Sequence, residues 1–226
     1  MNKSYYSLGL MSGTSMDGID ASIIQSDGKT KYKVILNRFF KYSEENYNNL
    51  ISLRNNIKNV HDLKKHQKQI DLVEKKITLF HALVVKKILK KKKLNISFIG
   101  FHGQTIFHDA ERKISIQLGD GKLLSNLTKK TVVYNFRKND LKNGGQGAPL
   151  APIFHQLIIK KNKLKLPALI INIGGISNVT CKKFGSKIIS YDIGPGNCLI
   201  DHWMRLNSNK KYDNNGNQAK KGKVNK

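Results

Sequence analysis

Short stretches in which apolar and polar residues alternate, each running into a cluster of glycines and hydroxyl side chains, recur along this chain and narrow its architecture more than any other feature. Tyr6, Leu8 and Leu10 alternate before Met11-Ser12-Gly13-Thr14-Ser15-Met16-Asp17-Gly18, and Ile19, Ala21 and Ile23 alternate after it. A period of two marks a half-buried strand, so residues 5–25 are expected to form a hairpin with a glycine-rich tip. Between residues 43 and 92 the period changes. Ile70, Val73, Ile77, Phe80, Val84 and Ile88 recur every three or four residues, which predicts an amphipathic helix ending in the basic run Lys90–Lys93. Further strands are expected at residues 96–101, 114–118, 131–136, 168–173 and 187–191, and helices at 122–128 and 149–159. Strands that end in polar, glycine-rich loops and alternate with helices indicate an α/β fold whose ligand lies along strand ends.

Composition removes several classes of protein. The 226 residues are 39% hydrophobic, enough for a core, and no apolar run approaches the ~18 residues that span a bilayer. The start MNKSYYSLGLM is too short and polar for a secretory leader. Two cysteines, Cys181 and Cys198, provide neither a metal cluster nor a disulfide framework, which predicts a cytoplasmic setting and no membrane partner. The net charge of +26 suggests nucleic acid. However, the basic residues are overwhelmingly lysines, with arginine only at positions 38, 54, 112, 137 and 205. Lysine scattered among asparagines lacks the forked contacts of a base reader, and no nucleic-acid motif accompanies it, so no nucleic-acid partner is expected. The stretch 207–226, rich in Lys and Asn, reads either as a disordered tail or as the point where a longer sequence was cut.

Three loops could carry chemistry. In the first, Ser12, Gly13, Thr14, Ser15, Met16, Asp17, Gly18 and Ile19 provide close backbone approach, hydroxyl donors and a carboxylate that could hold Mg²⁺ through water. A Walker loop is excluded because no Gly-Lys-Ser/Thr follows; an ordinary turn fits the segment equally well. In the second, Gly174 and Gly175 lie within Asn172–Asn178, between one apolar strand and the next. Two such hairpins suit a polyphosphate that needs donors on both sides. In the third, Asp192 stands ahead of Ile193-Gly194-Pro195-Gly196-Asn197 at an expected strand end, either as a general base or as a cap of its own turn. The run Phe101-His102-Gly103-Gln104-Thr105 should follow a strand, with a lone histidine that is more ordinarily structural. Phe136-Arg137-Lys138-Asn139-Asp140 leads into Gly144–Leu150 and offers a cation and a carboxylate beside a flexible turn; the Arg137 guanidinium suits a carboxylate-bearing substrate.

Taken together, Leu8–Asp20, His102–Thr105, Gln117–Asp120, Phe136-Arg137, Gly144–Leu150, Asn172–Asn178 and Asp192–Asn197 resemble the anhydro-N-acetylmuramic acid kinases over nearly the whole chain, in the family's order. The resemblance implies an α/β, two-lobed, ribonuclease-H-like fold of the actin-like ATPase and sugar kinase kind, with the second lobe incomplete. It divides into an N-terminal lobe, residues 1–130, and a partial second lobe, residues 131–226. It further implies ATP and Mg²⁺ as cofactors, with no metal ligands assigned, and 1,6-anhydro-N-acetylmuramic acid as substrate. The reaction would be hydrolysis of the anhydro ring with phosphorylation of O6, in peptidoglycan recycling. Carried over by motif, residues 12–19 with Gly174 and Gly175 would bind the ATP phosphates. Asp192 would be the catalytic base, and His102, Gln104, Thr105, Arg137 and Asn178 would contact the sugar. A homodimer is a candidate assembly. Two departures stand out: Asn135 occupies a position usually acidic in the family, and the chain ends early, after Tyr212–Ala219, a run like the family's mid-protein sequence. A C-terminal truncation is therefore expected, and the alternative function is a catalytically impaired phosphate- or sugar-binding remnant.

Overall fold

The computed structural model describes residues 4–91 and 94–223; Lys92 and Lys93 of the expected basic helix end, and the last three residues of the tail, lie outside them. The chain divides into two compact units, residues 1–150 and 151–226.

In the first unit the expected hairpin forms from β1 (Tyr5–Ser12) and β2 (Gly18–Ser26), and β3 (Tyr32–Lys41) extends it as an antiparallel meander. Helices α1 (Glu44–Asn56), α2 (Val60–Lys65) and α3 (Gln67–Lys91) follow, then β4 (Ile96–Asp109), β5 (Ile114–Leu118), α4 (Gly121–Thr128), β6 (Val132–Tyr134) and α5 (Phe136–Lys142). The sheet order is β3-β2-β1-β4-β5, with β6 also pairing β4. Strand β1 is the pivot: antiparallel to β2 on one side and parallel to β4 on the other.

Sequence periodicity and packing agree here. Leu8 and Leu10 of β1 stand opposite Ile23 and Ala21 of β2, and all four are buried. The α3 stripe of Ile70, Val73, Ile77, Val84 and Ile88 joins the same cluster, together with Ile99 and Phe101 of β4. Each such side chain contributes ~1.5–3 kcal/mol by leaving water. Ser43 caps α1 by accepting from the Asn46 N–H, and Asp120 caps α4 by accepting from Lys122 and Leu123.

The second unit contains α6 (Pro152–Lys161), an antiparallel meander of β7 (Ala168–Ile173), β8 (Ile176–Lys182) and β9 (Ile189–Pro195), and α7 (Cys198–Asn207). Residues 213–221 form two single 3₁₀ turns, with the Asp213 carboxylate accepting from the N–H groups of Gln218 and Ala219. Helix α6 is pinned to the sheet by a relay: His155 Nδ1 lies 2.7 Å from Thr180 Oγ1, Thr180 Oγ1 3.1 Å from Ser190 Oγ, and Ser190 donates to the Val179 carbonyl at 2.8 Å.

Four expectations change. The boundary at residue 130 moves to 150/151, because β6 pairs in parallel with Ile99–Phe101 of β4 and so belongs to the first sheet. The expected strand 131–136 stops at Tyr134, since Asn135 takes the left-handed backbone (φ 62°) that turns the chain into α5. His102–Thr105 lies inside β4, which continues eight residues past Phe101 to pair with β5. Asp192 lies within β9, not at its end. Among the described residues no helix is long and apolar enough to cross a membrane.

Gly18 opens β2 where β3 passes closest. A Cβ there would come within 2.4 Å of the Phe40 carbonyl oxygen and 2.5 Å of the Phe39 ring. Gly18→Ala is therefore expected to destabilise the first unit by ~1–3 kcal/mol, read as a lower urea midpoint. Gly9→Ala, whose Cβ meets nothing closer than 3.8 Å, should leave the midpoint within ~0.5 kcal/mol of the parent.

Candidate active site

The first glycine loop sits on a buried polar platform. Ser12, the last residue of β1, is 1% exposed. Its Oγ lies 2.8 Å from the Tyr42 hydroxyl and 3.5 Å from His81 Nε2. His81, fully buried on α3, uses Nδ1 to donate to the Ile77 carbonyl at 2.8 Å. That bond leaves Nε2 as the acceptor, so the hydrogens run from Tyr42 to Ser12 to His81. Burial pulls the imidazole down to about 4 and raises the Tyr42 phenol, so both stay neutral.

Gln104 completes the platform from β4. It is fully buried, stands level with Ser12 across the parallel pairing, and donates through Nε2 to the Gly13 carbonyl at 2.9 Å. The same carbonyl accepts the Met16 N–H, closing a tight turn. Met16 holds a left-handed backbone (φ 58°) with its side chain buried. Of residues 12–19, then, Ser12, Met16, Gly18 and Ile19 turn inward or are packed against β3, and Thr14, Ser15 and Asp17 are presented at the tip beside half-buried Gly13. Ser15 donates to Asp17 at 2.5 Å. Asp20 carries a carboxyl raised by burial and then by the negative charge of Asp17.

A second cluster of the same unit orients Arg137. His102 donates through Nδ1 to the Gly103 carbonyl and accepts at Nε2 from Arg137 Nε, both at 2.8 Å. Arg137 Nη1 also donates to the Gly147 carbonyl at 2.8 Å. Asp140 holds that loop in turn: its Oδ2 accepts from the Gly147 N–H at 2.8 Å, and a Cβ on Gly145 would collide with its carboxylate. Burial, then the adjacent guanidinium, lowers His102 to about 4. With both ring nitrogens engaged, His102 is a positioner of Arg137 and not a proton acceptor. Thr105 instead faces β5, accepting from Gln117 at 3.3 Å.

In the second unit, Gly174 and Gly175 form the β7–β8 turn. Their carbonyls are taken by the chain entering α7: Asn197 donates to Gly174 at 2.7 Å, and Gly196 and Cys198 donate to Gly175 at 2.9 and 3.2 Å. Gly196 is required, because a Cβ there would lie 2.2 Å from the Gly174 oxygen. Asn178 of β8 pairs in register with Asp192 of β9, beside a bulge at Ser177/Asn178. That pairing puts the two side chains on one sheet face, with Asp192 exposed.

Residues 5–226 match the model of the anhydro-N-acetylmuramic acid kinase family. The chain belongs to that family. An anhydro-N-acetylmuramic acid kinase of Pelagibacter ubique is 55% identical over 226 residues, covering 99% of this chain and 60% of the relative. One from Agrobacterium fabrum is 37% identical, covering 96% and 60%. This chain therefore spans about 60% of the length of the curated relatives it matches. Among solved structures, a Ppx/GppA family member from Aquifex aeolicus aligns with TM-score 0.39 at 13% identity, over 88% of this chain and 54% of that one. An overlap that loose carries no argument about chemistry.

His81 and Tyr42 were not singled out from the sequence. His81 had a signal: it lies four residues after Ile77 on the apolar stripe, where a polar ring must be buried and bonded. Tyr42 had none, since its partner Ser12 is distant in sequence.

Both His81 and His102 stay neutral in the fold down to about pH 4, whereas the unfolded chain protonates them near 6.5. Unfolding thus takes up protons between about pH 6.5 and 4. Stability is full above that window and falls as pH is lowered through it, by on the order of 3 kcal/mol per ring. The check is the urea midpoint against pH, with His102→Gln expected to flatten the slope.

Proposed function

We propose that the family protein to which this chain corresponds opens the 1,6-anhydro ring of anhydro-N-acetylmuramic acid and phosphorylates O6 at the expense of ATP, yielding N-acetylmuramic acid 6-phosphate and ADP. The match of residues 5–226 to the kinase family carries this reading. The setting would be the cytosol, in keeping with the free thiols of Cys181 and Cys198, and the pathway recovery of peptidoglycan fragments.

In this proposal the tip Gly13-Thr14-Ser15 offers backbone N–H groups and hydroxyls to the ATP phosphates, and the buried Ser12–Tyr42–His81 and Gln104 contacts fix where the tip sits. Gly174 and Gly175 serve the nucleotide from the second hairpin. The raised carboxyl of Asp20 beside Asp17 is the kind of crowding a cation relieves, so Mg²⁺ suits this end of the loop and would neutralise phosphate charge when bound. Arg137, held at Nε and Nη1, presents the rest of its fork to the sugar's lactyl carboxylate. Asn178 would hydrogen-bond the sugar beside Asp192.

Asp192 acts as general base. It takes a proton from water as the water oxygen bonds to the anomeric carbon. The C1–O6 bond breaks, its electron pair stays on O6, and O6 bonds to the γ-phosphorus as the bond to the ADP oxygen breaks. The two steps share one site because O6 is the leaving group of the first and the nucleophile of the second.

A second reading is a phosphate- or sugar-binding remnant without turnover, favoured by the chain spanning only about 60% of its relatives. One assay separates the two. Incubation with the anhydro-sugar and ATP is expected to release ADP and a 6-phosphosugar. Asp192→Asn should lower turnover ~10²–10⁴-fold with little change in sugar KM. Saturable sugar binding with no ADP above background would leave only the remnant.

A further inference from the structure

The first loop lacks the positive charge that a phosphate-binding turn ordinarily contains. Residues 4–28 include no lysine or arginine, in a chain whose net charge is +26. The loop instead carries Asp17 at its tip and Asp20 just beyond it, and the carboxyl of Asp20 is already raised by burial and by the charge of Asp17. Backbone N–H groups and hydroxyls at Gly13, Thr14 and Ser15 can orient phosphate oxygens, but two carboxylates beside them repel a polyphosphate. A cation has to come from another element.

Helix α1 brings one. Strand β3 ends at Lys41, the Tyr42 N–H donates to the Asp17 carbonyl at 2.9 Å, and the chain turns at once into α1 at the Ser43 cap. Leu50 and Leu53 of α1 are fully buried in the cluster that also holds Met16 of the loop. Arg54, the next residue, stands in the last turn of the helix. Its Nη1 lies 3.5 Å from the Thr14 carbonyl oxygen, 40 residues away in sequence. A contact that long is weak, and among the described residues no carboxylate lies within ion-pairing distance of the exposed Arg54 side chain. A cation at that helix end also complements the dipole of α1. The dipole accounts for its place in the helix, but not for a guanidinium that reaches a loop whose own segment is empty of positive charge.

We propose that Arg54 is the cation of the first loop and binds the phosphate chain of the nucleotide, with Nη1 on the Thr14 carbonyl and the other guanidinium N–H groups donating to phosphate oxygens. The ligand class is a nucleoside triphosphate, or tripolyphosphate as its inorganic equivalent. Arginine suits the place better than one of the chain's many lysines, because a planar fork holds a carbonyl and a phosphate at once. The inference rests on the reading of residues 12–19 as a phosphate loop and adds to it a residue from outside that loop.

Calorimetric titration of the 226-residue chain with ATP and with tripolyphosphate tests it, in about 0.15 M KCl, where charges more than ~8 Å apart are screened. Arg54→Gln keeps a donor for the Thr14 carbonyl but carries no charge, and is expected to weaken both ligands ~10–100-fold. Arg54→Lys should recover part of the loss. Lys29→Gln, an equal loss of charge in the exposed turn between β2 and β3, should leave both affinities within about twofold. Affinity should also fall less steeply with added salt in Arg54→Gln than in the parent, whereas a residue that only props the loop would weaken binding without changing that slope. The urea midpoint of Arg54→Gln is expected to match the parent's; if that variant unfolds, the salt slope of Arg54→Ala replaces it. Equal affinities and slopes for parent and Arg54→Gln overturn the proposal and leave the loop assignment standing. A loss matched by Lys29→Gln, the mark of diffuse binding to surface lysines, overturns it too. A parent chain that binds neither ligand overturns both the proposal and the phosphate-loop reading. Tripolyphosphate binding that depends on Arg54, in a chain that releases no ADP from ATP and the anhydro-sugar, contradicts the proposed reaction and upholds Arg54.

Discussion

The parallel pairing of β1 with β4 is the constraint on which the first unit depends. It sets Ser12 level with Gln104, so a buried amide from one strand meets the carbonyl of the glycine that begins the other strand's loop. The same strand end carries the Ser12 hydroxyl into contact with Tyr42 and His81. Polar groups in a dry interior are costly unless bonded, and here the bonds converge under the first turn of the loop. Gln104 Oε1 alone has no partner in this cluster. The loop is therefore a tip held on a hydrogen-bonded base and not a flexible connector, which is the property a phosphate-binding turn needs.

The Arg137 site follows a similar logic with different chemistry. The guanidinium is partly buried, and burial alone lowers its affinity for a proton. It is held by a neutral imidazole and a backbone carbonyl instead of a carboxylate. An arginine so held keeps its full charge for an anionic ligand, whereas a partnered carboxylate would have cancelled it. Asp140, the nearby acid, binds the Gly147 N–H and shapes the loop. In the second unit the glycine carbonyls at the β7–β8 turn occupy the N–H groups that open α7. That helix start is thus spent on fixing the hairpin and not on an anion.

Much of the fold was legible because it is local. Period-two alternation marked β1 and β2; β5 and β7 were expected as strands at 114–118 and 168–173, and the stripe from Ile70 to Ile88 marked α3. Strand β3 was missed. Its edge position leaves Val34 and Phe39 exposed and blurs the alternation. Strand β4 was read eight residues too short at its far end, because His102-Gly103-Gln104-Thr105 looks like a loop by composition. The pairing with β5 keeps it extended, and Gly103 is needed there because a Cβ would strike the Leu118 carbonyl at 2.4 Å.

The sequence by itself determined the α/β class, the hairpin loops, the family motifs and the residue types available for chemistry, since each depends on spacing within a few residues. Only the tertiary structure decided which of those residues face inward. Ser12 and Gln104 became supports of the loop, and His102 became a neutral partner of Arg137, because burial and the direction of each hydrogen bond depend on strands that meet across tens of residues. The same nonlocality applies to the second unit: its apolar strands could be read from the chain, but the exposure of Leu169, Ile171 and Ile173 depends on which elements pack against them in space.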